Sequence, residues 1–187
     1  MQTRCHLSVL IHEQAKKYGA RGALTFRNFG SKSWKTVSWK QFSLRVMQVS
    51  NALIHLGVKP QESIGVFAQN CIQYLYADFG AYGVRAITIP FYATCSEQQI
   101  KYMIHDAQVR ILFVGEQEQF EKARRIFALC PSLERVIIFD RSVQIGEQDS
   151  FALYFEDFIA LGEDVPHQTE VEERWAAAND CLLYTSP

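Results

Sequence analysis

Residues 63–92 read SIGVFAQNCIQYLYADFGAYGVRAITIPFY, and the fold turns on them. Ser63–Ala68 is a short, nearly unbroken apolar run of strand length, closed by the polar pair Gln69-Asn70. Ile72–Tyr82 is apolar on most sides, as a buried helix is, and Gly83 is expected to end it. Ala86–Ile89 is a second apolar run of strand length. A strand, a helix and a strand in so short a span make a βαβ unit, whose two strands lie parallel. The same alternation continues outward. Ser96–Asp106 is a helix opened by a capping box from Ser96 and Gln99. Arg110–Val114 is a strand, Gln119–Ala128 a helix and Arg135–Phe139 a strand. The expected fold is α/β, a parallel βαβ sheet flanked by helices. Such sheets bind ligands at the carboxyl ends of their strands. Here those ends are Gln69-Asn70, Pro90-Phe91-Tyr92-Ala93-Thr94, Gly115-Glu116 and Asp140-Arg141.

On the N-terminal side, Leu7, Leu10, Ile11, Ala15 and Tyr18 share one helical face, and Gly19 follows as a C-cap. Ala23–Arg27 and Lys35–Val37 flank the Gly/Ser-containing stretch 28–33, which predicts a β-hairpin. Ser38 with Gln41 forms a second capping box. It opens a helix whose apolar stripe runs Trp39, Phe42, Val46, Val49, Leu53 and Leu56 before Gly57 and Pro60 stop it. Beyond Asp140 the pattern weakens. It predicts a polar loop over 141–150, a short helix over Tyr154–Leu161, a Pro-containing connector over 162–169 and a last helical stretch over Glu170–Ala178. The run Cys181-Leu182-Leu183-Tyr184-Thr185-Ser186 then reads as a buried strand entering a functional turn.

Composition bounds the function without naming it. The 187 residues are 48% hydrophobic and 21% charged, enough for one core and too apolar for a disordered tail. With 19 basic against 20 acidic residues, the chain lacks the positive footprint of a nucleic-acid binder, so no nucleic-acid partner is expected. The five cysteines (5, 71, 95, 130 and 181) form no CxxC pair and are expected to be free thiols in a reducing compartment. Residues 1–6 contain no signal-peptide apolar run, and no stretch is long enough to span a membrane. The expected location is the cytoplasm, with peripheral membrane contact compatible with it. The five histidines are isolated in sequence, and His105 sits where a helix C-terminus favours it. Lys122, Arg124 and Arg125, with Glu118 and Glu121, read as a solvated helix face. Tyr74, Tyr76, Phe79 and Tyr82 read as core, or in part as the lining of an apolar channel. There is no GxSxG elbow, no HExxH and no Walker A lysine. Gly80-Ala81-Tyr82-Gly83 lies at a helix end, the wrong context for a dinucleotide loop.

Three stretches together carry a resemblance. Val37-Ser38-Trp39-Lys40-Gln41-Phe42-Ser43 is similar to the first core motif of the adenylate-forming (AMP-binding) enzymes. Ala81–Tyr92, a helix–Gly–strand–Pro passage, is similar to their second. Leu183-Tyr184-Thr185-Ser186 resembles the opening of their phosphate loop, Tyr-Thr-Ser-Gly-Thr-Thr-Gly-x-Pro-Lys-Gly. Pro90–Glu97 followed by Tyr102-Met103-Ile104 is similar to a passage of the long-chain acyl-CoA synthetases in particular.

The resemblance covers nearly the whole chain, from Leu7 to Ser186. It implies that residues 1–187 are the N-terminal part of the large domain of an ATP-dependent long-chain fatty acid–CoA ligase. A carboxylate would attack the α-phosphorus of ATP, giving acyl-adenylate and pyrophosphate, and the thiol of coenzyme A would then displace AMP. The implied ligands are a fatty acid, ATP, Mg²⁺ and coenzyme A, with Thr185 and Ser186 at the positions that hold ATP phosphates; no catalytic or metal-binding side chain is assigned. Where the family has Gly, this sequence has Pro187, which lacks an N–H and the freedom the loop needs. The expectation is therefore a chain truncated or joined to other sequence at the start of the phosphate loop, inactive alone and marginally soluble. The competing expectations are a standalone α/β binding or regulatory module without catalysis, and a ligase of the same superfamily for a different carboxylic acid.

Overall fold

The computed structural model describes residues 6–27, 33–163, 168–176 and 183. The elements in chain order are α1 (Leu7–Tyr18), β1 (Gly22–Arg27), β2 (Trp34–Ser38), α2 (Trp39–His55), β3 (Ser63–Phe67), α3 (Ile72–Gly83) and β4 (Ile87–Phe91). They continue with α4 (Glu97–Asp106), β5 (Ile111–Val114), α5 (Gln117–Phe127), β6 (Arg135–Ile138), β7 (Ala152–Tyr154), α6 (Phe155–Ala160) and α7 (Gln168–Ala176). β1 and β2 form the expected antiparallel hairpin, with Thr25 and Thr36 hydroxyls 2.8 Å apart across it. The other five strands make one sheet of order β4-β3-β5-β6-β7, parallel throughout.

Side chains alternate across that sheet, so each strand feeds two cores. Ile64, Val66, Ile111, Phe113 and Ile137 pack with α2, α3 and α6 on one face. Phe67, Ile89, Phe91, Leu112, Val114, Val136 and Ile138 pack with α4 and α5 on the other. Burial on both faces explains why the strands read as continuous apolar runs. Both expected capping boxes are present: Ser38 Oγ accepts from the Gln41 amide and Ser96 Oγ from the Gln99 amide, while each glutamine side chain accepts from the cap residue's own N–H.

One expectation needs correction and a second needs refinement. Ala152–Tyr154 is a strand, pairing parallel with β6, between the expected loop over 141–150 and the expected helix, whose first residue Tyr154 it takes. Three residues at a sheet edge carry too little alternation to be seen in sequence. α3 does end on Gly83, but the residue in the left-handed region is Arg85, two positions later, at φ 62°. Gly80 and Gly83 also face α2. A Cβ on Gly80 would stand 2.3 Å from Val49 Cγ1, and one on Gly83 would stand 2.4 Å from Ser50 Oγ. The glycines let the two helices touch.

α7 is anchored at two points. Arg174 Nη1 donates to Val58 O at 2.9 Å and Val84 O at 3.1 Å, carbonyls that follow α2 and α3. Trp175 packs against the ring of His12, with centroids 4.4 Å apart. Among the described residues no helix is long and apolar enough to cross a membrane.

Candidate active-site crevice at the carboxyl ends of the strands

After β3 the chain crosses through α3 to β4 on one side. After β5 it crosses through α5 to β6 on the other, over the opposite face of the sheet. The carboxyl ends of β3 and β5 are therefore neighbours from which the chain departs in opposite directions, which opens a crevice. Gly115 sits in it. Its amide donates to Phe67 O at 3.1 Å, and a Cβ there would lie 3.0 Å from Ala68 Cβ. A side chain there would crowd Ala68, so glycine suits the close approach of the two strand ends.

Two cavities flank this point. The first, about 360 Å³, lies between Gln69, Cys71 and Gln73 at the start of α3, Gly115-Glu116, and Phe139-Asp140-Arg141 after β6; Phe26 and Arg27 of the hairpin close it. Its charged side chains are largely paired. Arg141 bonds Asp157 at 2.6 Å, and Arg45 grips both oxygens of Glu156 at 2.9 and 2.8 Å. Cys71 precedes α3 without a side-chain capping bond, and burial pushes its thiol pKa up, away from the reactive thiolate.

The second cavity, about 670 Å³, lies on the β4 side. Asn70, Tyr74, Pro90, Tyr92, Tyr102 and Met103 are among its lining. Tyr92 is 84% exposed and Tyr102 57%, so this wall offers aromatic faces to a ligand. The loop that carries Tyr92 is held from α5. The buried Gln119 donates to Ala93 O at 3.1 Å, and Lys122 Nζ donates to Cys95 O at 3.1 Å while pairing with Glu118 at 2.7 Å. Lys122 is thus more than part of a solvated face. Arg124 and Arg125 fit that description better, pairing with Glu121 and Glu97. At the opposite end of the sheet, Arg110 bonds Leu56 O, Gly57 O and Glu62 and pairs with Glu134, which ties the amino ends of the strands together.

All four strand ends expected to meet a ligand are brought together here. Gln69 borders both cavities, Pro90–Ala93 the second, and Gly115-Glu116 with Asp140-Arg141 the first. Tyr76 and Tyr82 are buried, whereas Tyr74 lines the second cavity. Cys95 and Cys130 are free and buried, and Cys71 is free and half-buried. Thr185, Ser186 and Pro187 lie outside the described residues. Leu183 is described, and it pairs in parallel with Thr88 on the open edge of β4. Among the described residues no group of three or more His, Cys, Asp or Glu side chains is suited to hold a metal, so no step is assigned to Mg²⁺ here.

Fold and crevice define a doubly wound α/β protein with an open crevice at the switch point of its sheet. A family model described as "AMP-binding enzyme" matches residues 11–186, and the chain belongs to that family of adenylate-forming ligases. The Long-chain-fatty-acid--CoA ligase ACSBG1 of Rattus norvegicus is 26% identical over 95% of this chain, and ACSBG2 of Mus musculus is 27% identical over 99%. This chain spans only 24% and 28% of those relatives, about a quarter of their length. Among solved structures, the anthranilate CoA ligase AuaEII in complex with anthranoyl-AMP matches with a TM-score of 0.72 and 22% identity, over 86% of this chain and 29% of that one. The coronafacic acid ligase of Pectobacterium brasiliense matches with a TM-score of 0.73 and 14% identity, over 83% and 29%. These structural matches establish the fold.

Proposed function

We propose that the chain is the N-terminal part of an ATP-dependent acid–thiol ligase that activates a long-chain fatty acid as its acyl-adenylate and transfers the acyl group to coenzyme A. The observation that carries this reading is the family match over residues 11–186, which coincides with a crevice formed at the switch point. The long-chain assignment is supported by the names of the relatives. In this reading ATP and coenzyme A are the nucleotide ligands, and Mg²⁺ would accompany the phosphates.

The chain's own contribution is to shape and hold. The β5–α5 turn at Gly115 keeps the floor of the crevice free of side chains. Gln119 and Lys122 fix the loop that presents Tyr92, so an aromatic wall is in place before a ligand arrives. Thr185 and Ser186 are assigned to the phosphate loop on the motif resemblance alone. There their hydroxyls would meet charge that develops on the phosphoryl oxygens.

The test is pyrophosphate–ATP exchange by the full-length protein with saturated acids from short to long, together with aryl acids. Exchange that rises with chain length is expected, and the 187-residue chain alone is expected to give none. Exchange only with short or aryl acids would move the substrate class, and none with any acid would remove the ligase reading. Resequencing the coding region through codons 177–187 and beyond checks the loop. Gly-Thr-Thr-Gly after Tyr-Thr-Ser is expected, and different residues at 185 and 186 would withdraw that assignment.

A further inference from the structure

Charge is divided very unevenly along the chain. Residues 1–60 carry ten lysines and arginines and one acidic residue, Glu13, whereas the rest of the chain carries nine basic against nineteen acidic residues. The near-zero total conceals a basic lobe, built from α1, the β1–β2 hairpin and α2, joined to an acidic remainder. The one carboxylate of that lobe is engaged, since Glu13 pairs with Lys16 at 2.9 Å. Arg45 is spent on Glu156. Lys17, Arg21, Lys35 and Lys40 are exposed, and among the described residues none of them pairs with a carboxylate.

Folding gathers three of these four cations. Trp39 N donates to Arg21 O and Lys40 N to Gly19 O, both at 3.0 Å, which fastens the start of α2 to the end of α1. Lys17 Nζ and the Arg21 guanidinium stand 5.0 and 6.0 Å from the centre of the Tyr18 ring, and that ring lies 6.1 Å from Trp39. The hairpin adds an apolar element. Leu24, Phe26 and Val37 pack against the core, so strand alternation turns Thr25, Thr36 and Trp34 to solvent. Trp34 is 71% exposed. An indole beside uncompensated cations matches a lipid–water interface, where the ring sits at headgroup level and lysine and arginine meet anionic headgroups. The same hairpin closes the first cavity with Phe26 and Arg27, so a bilayer docked on this lobe lies beside the crevice.

We propose that α1, the hairpin and the start of α2 form a docking surface for an anionic lipid bilayer, with Lys17, Arg21, Lys35 and Lys40 meeting the headgroups and Trp34 entering the interface. The choice of lipid over nucleic acid draws on the ligase reading, because a long-chain acid partitions into lipid. Vesicle binding is measured without catalysis, so the two fail separately.

The test is co-sedimentation of the full-length protein with vesicles of phosphatidylcholine alone and of phosphatidylcholine with about a third phosphatidylserine. Binding to the phosphatidylserine vesicles is expected, much weaker binding to phosphatidylcholine, and release as salt rises from about 0.1 M to about 1 M. Replacing Lys17, Arg21, Lys35 and Lys40 together by Gln is expected to lower the partition coefficient by about tenfold or more. Trp34→Ser should lower it severalfold. Lys101→Gln, exposed on α4 outside the lobe, should leave it unchanged. All these side chains are exposed, so melting temperatures should stay at wild type. No binding to phosphatidylserine vesicles, or binding that the Gln and Ser variants leave intact, would overturn the proposal. So would binding of duplex DNA or RNA, lost in the Gln variant, by a protein that ignores vesicles. A lower melting temperature in Trp34→Ser with unchanged partition would show the indole to be covered by the rest of the chain, and overturns the lipid role too. Vesicle binding by a protein without acid-dependent exchange would remove the ligase reading and leave the docking surface standing.

Discussion

Asp78 and His12 respond to pH in opposite directions. Burial raises the Asp78 carboxyl from its ordinary 3.8 to about 7, although the Thr88 hydrogen bond works against the rise. Folding then favours its protonated form, so stability is gained as pH falls from about 7 toward 3.8. His12 is buried between Ser43, whose Oγ is 2.7 Å from Nδ1, and Trp175; burial, helped by Lys16 and opposed by Glu13 and Glu172, lowers its pKa from 6.5 to about 4. Folding favours its neutral form, so stability is lost as pH falls through that interval. Each contribution is of the order of 3–4 kcal/mol at most. Between pH 4 and 6.5 they largely offset in the wild-type chain. Asp78→Asn is expected to lose stability steeply on acidification across that window, and His12→Gln is expected to gain it. Urea midpoints measured at several pH values decide this, and parallel pH profiles for all three proteins would contradict the assignment.

Among the described elements, α2 and α3 make the most extensive helix contact, and two glycines line it. Ordinary helix propensity says that Gly→Ala stabilises a helix interior by roughly 1 kcal/mol. Gly80→Ala should do the reverse. Its methyl would stand 2.3 Å from Val49 Cγ1 and 3.3 Å from Val46 O, so the helices must part, which costs about 1–3 kcal/mol. A melting temperature at or above wild type would show that the seam can relax. The start of α2 gives a simpler expectation. Ser38→Ala removes the acceptor for the Gln41 amide and is expected to cost about 1 kcal/mol, read as a lower chemical-denaturation midpoint with an unchanged slope. These helix starts were legible because a capping box is a local pattern. β7 was not, because its partner β6 lies some fifteen residues back and supplies the reason for its being a strand.

For the molecule as a whole, one sheet serves two cores, so neither face can melt alone. Leu112 and Phe113 are adjacent in β5, fully buried, and point to opposite faces. Leu112→Ala and Phe113→Ala are each expected to cost about 2–5 kcal/mol and to lower one shared transition, followed by far-UV dichroism and tryptophan fluorescence together. Two separated transitions in either variant would refute a single cooperative unit. The alternation of apolar runs and amphipathic stretches by itself determined the parallel βαβ sheet, its helices and the strand ends where a ligand would sit, because strand and helix periodicities are properties of neighbouring residues. Only the tertiary structure decided the strand order and hence the switch point between β3 and β5. Strand order depends on which faces the crossover helices cover, and no local pattern encodes that. It also decided the roles of three residues that read as ordinary. Gly83 is a helix contact as well as the last residue of α3, Lys122 holds a loop, and Asp78, on a helix that reads as core, hydrogen-bonds Thr88 of β4. In each case the deciding partner, Ser50, Cys95 or Thr88, comes from another element and is brought close only by folding.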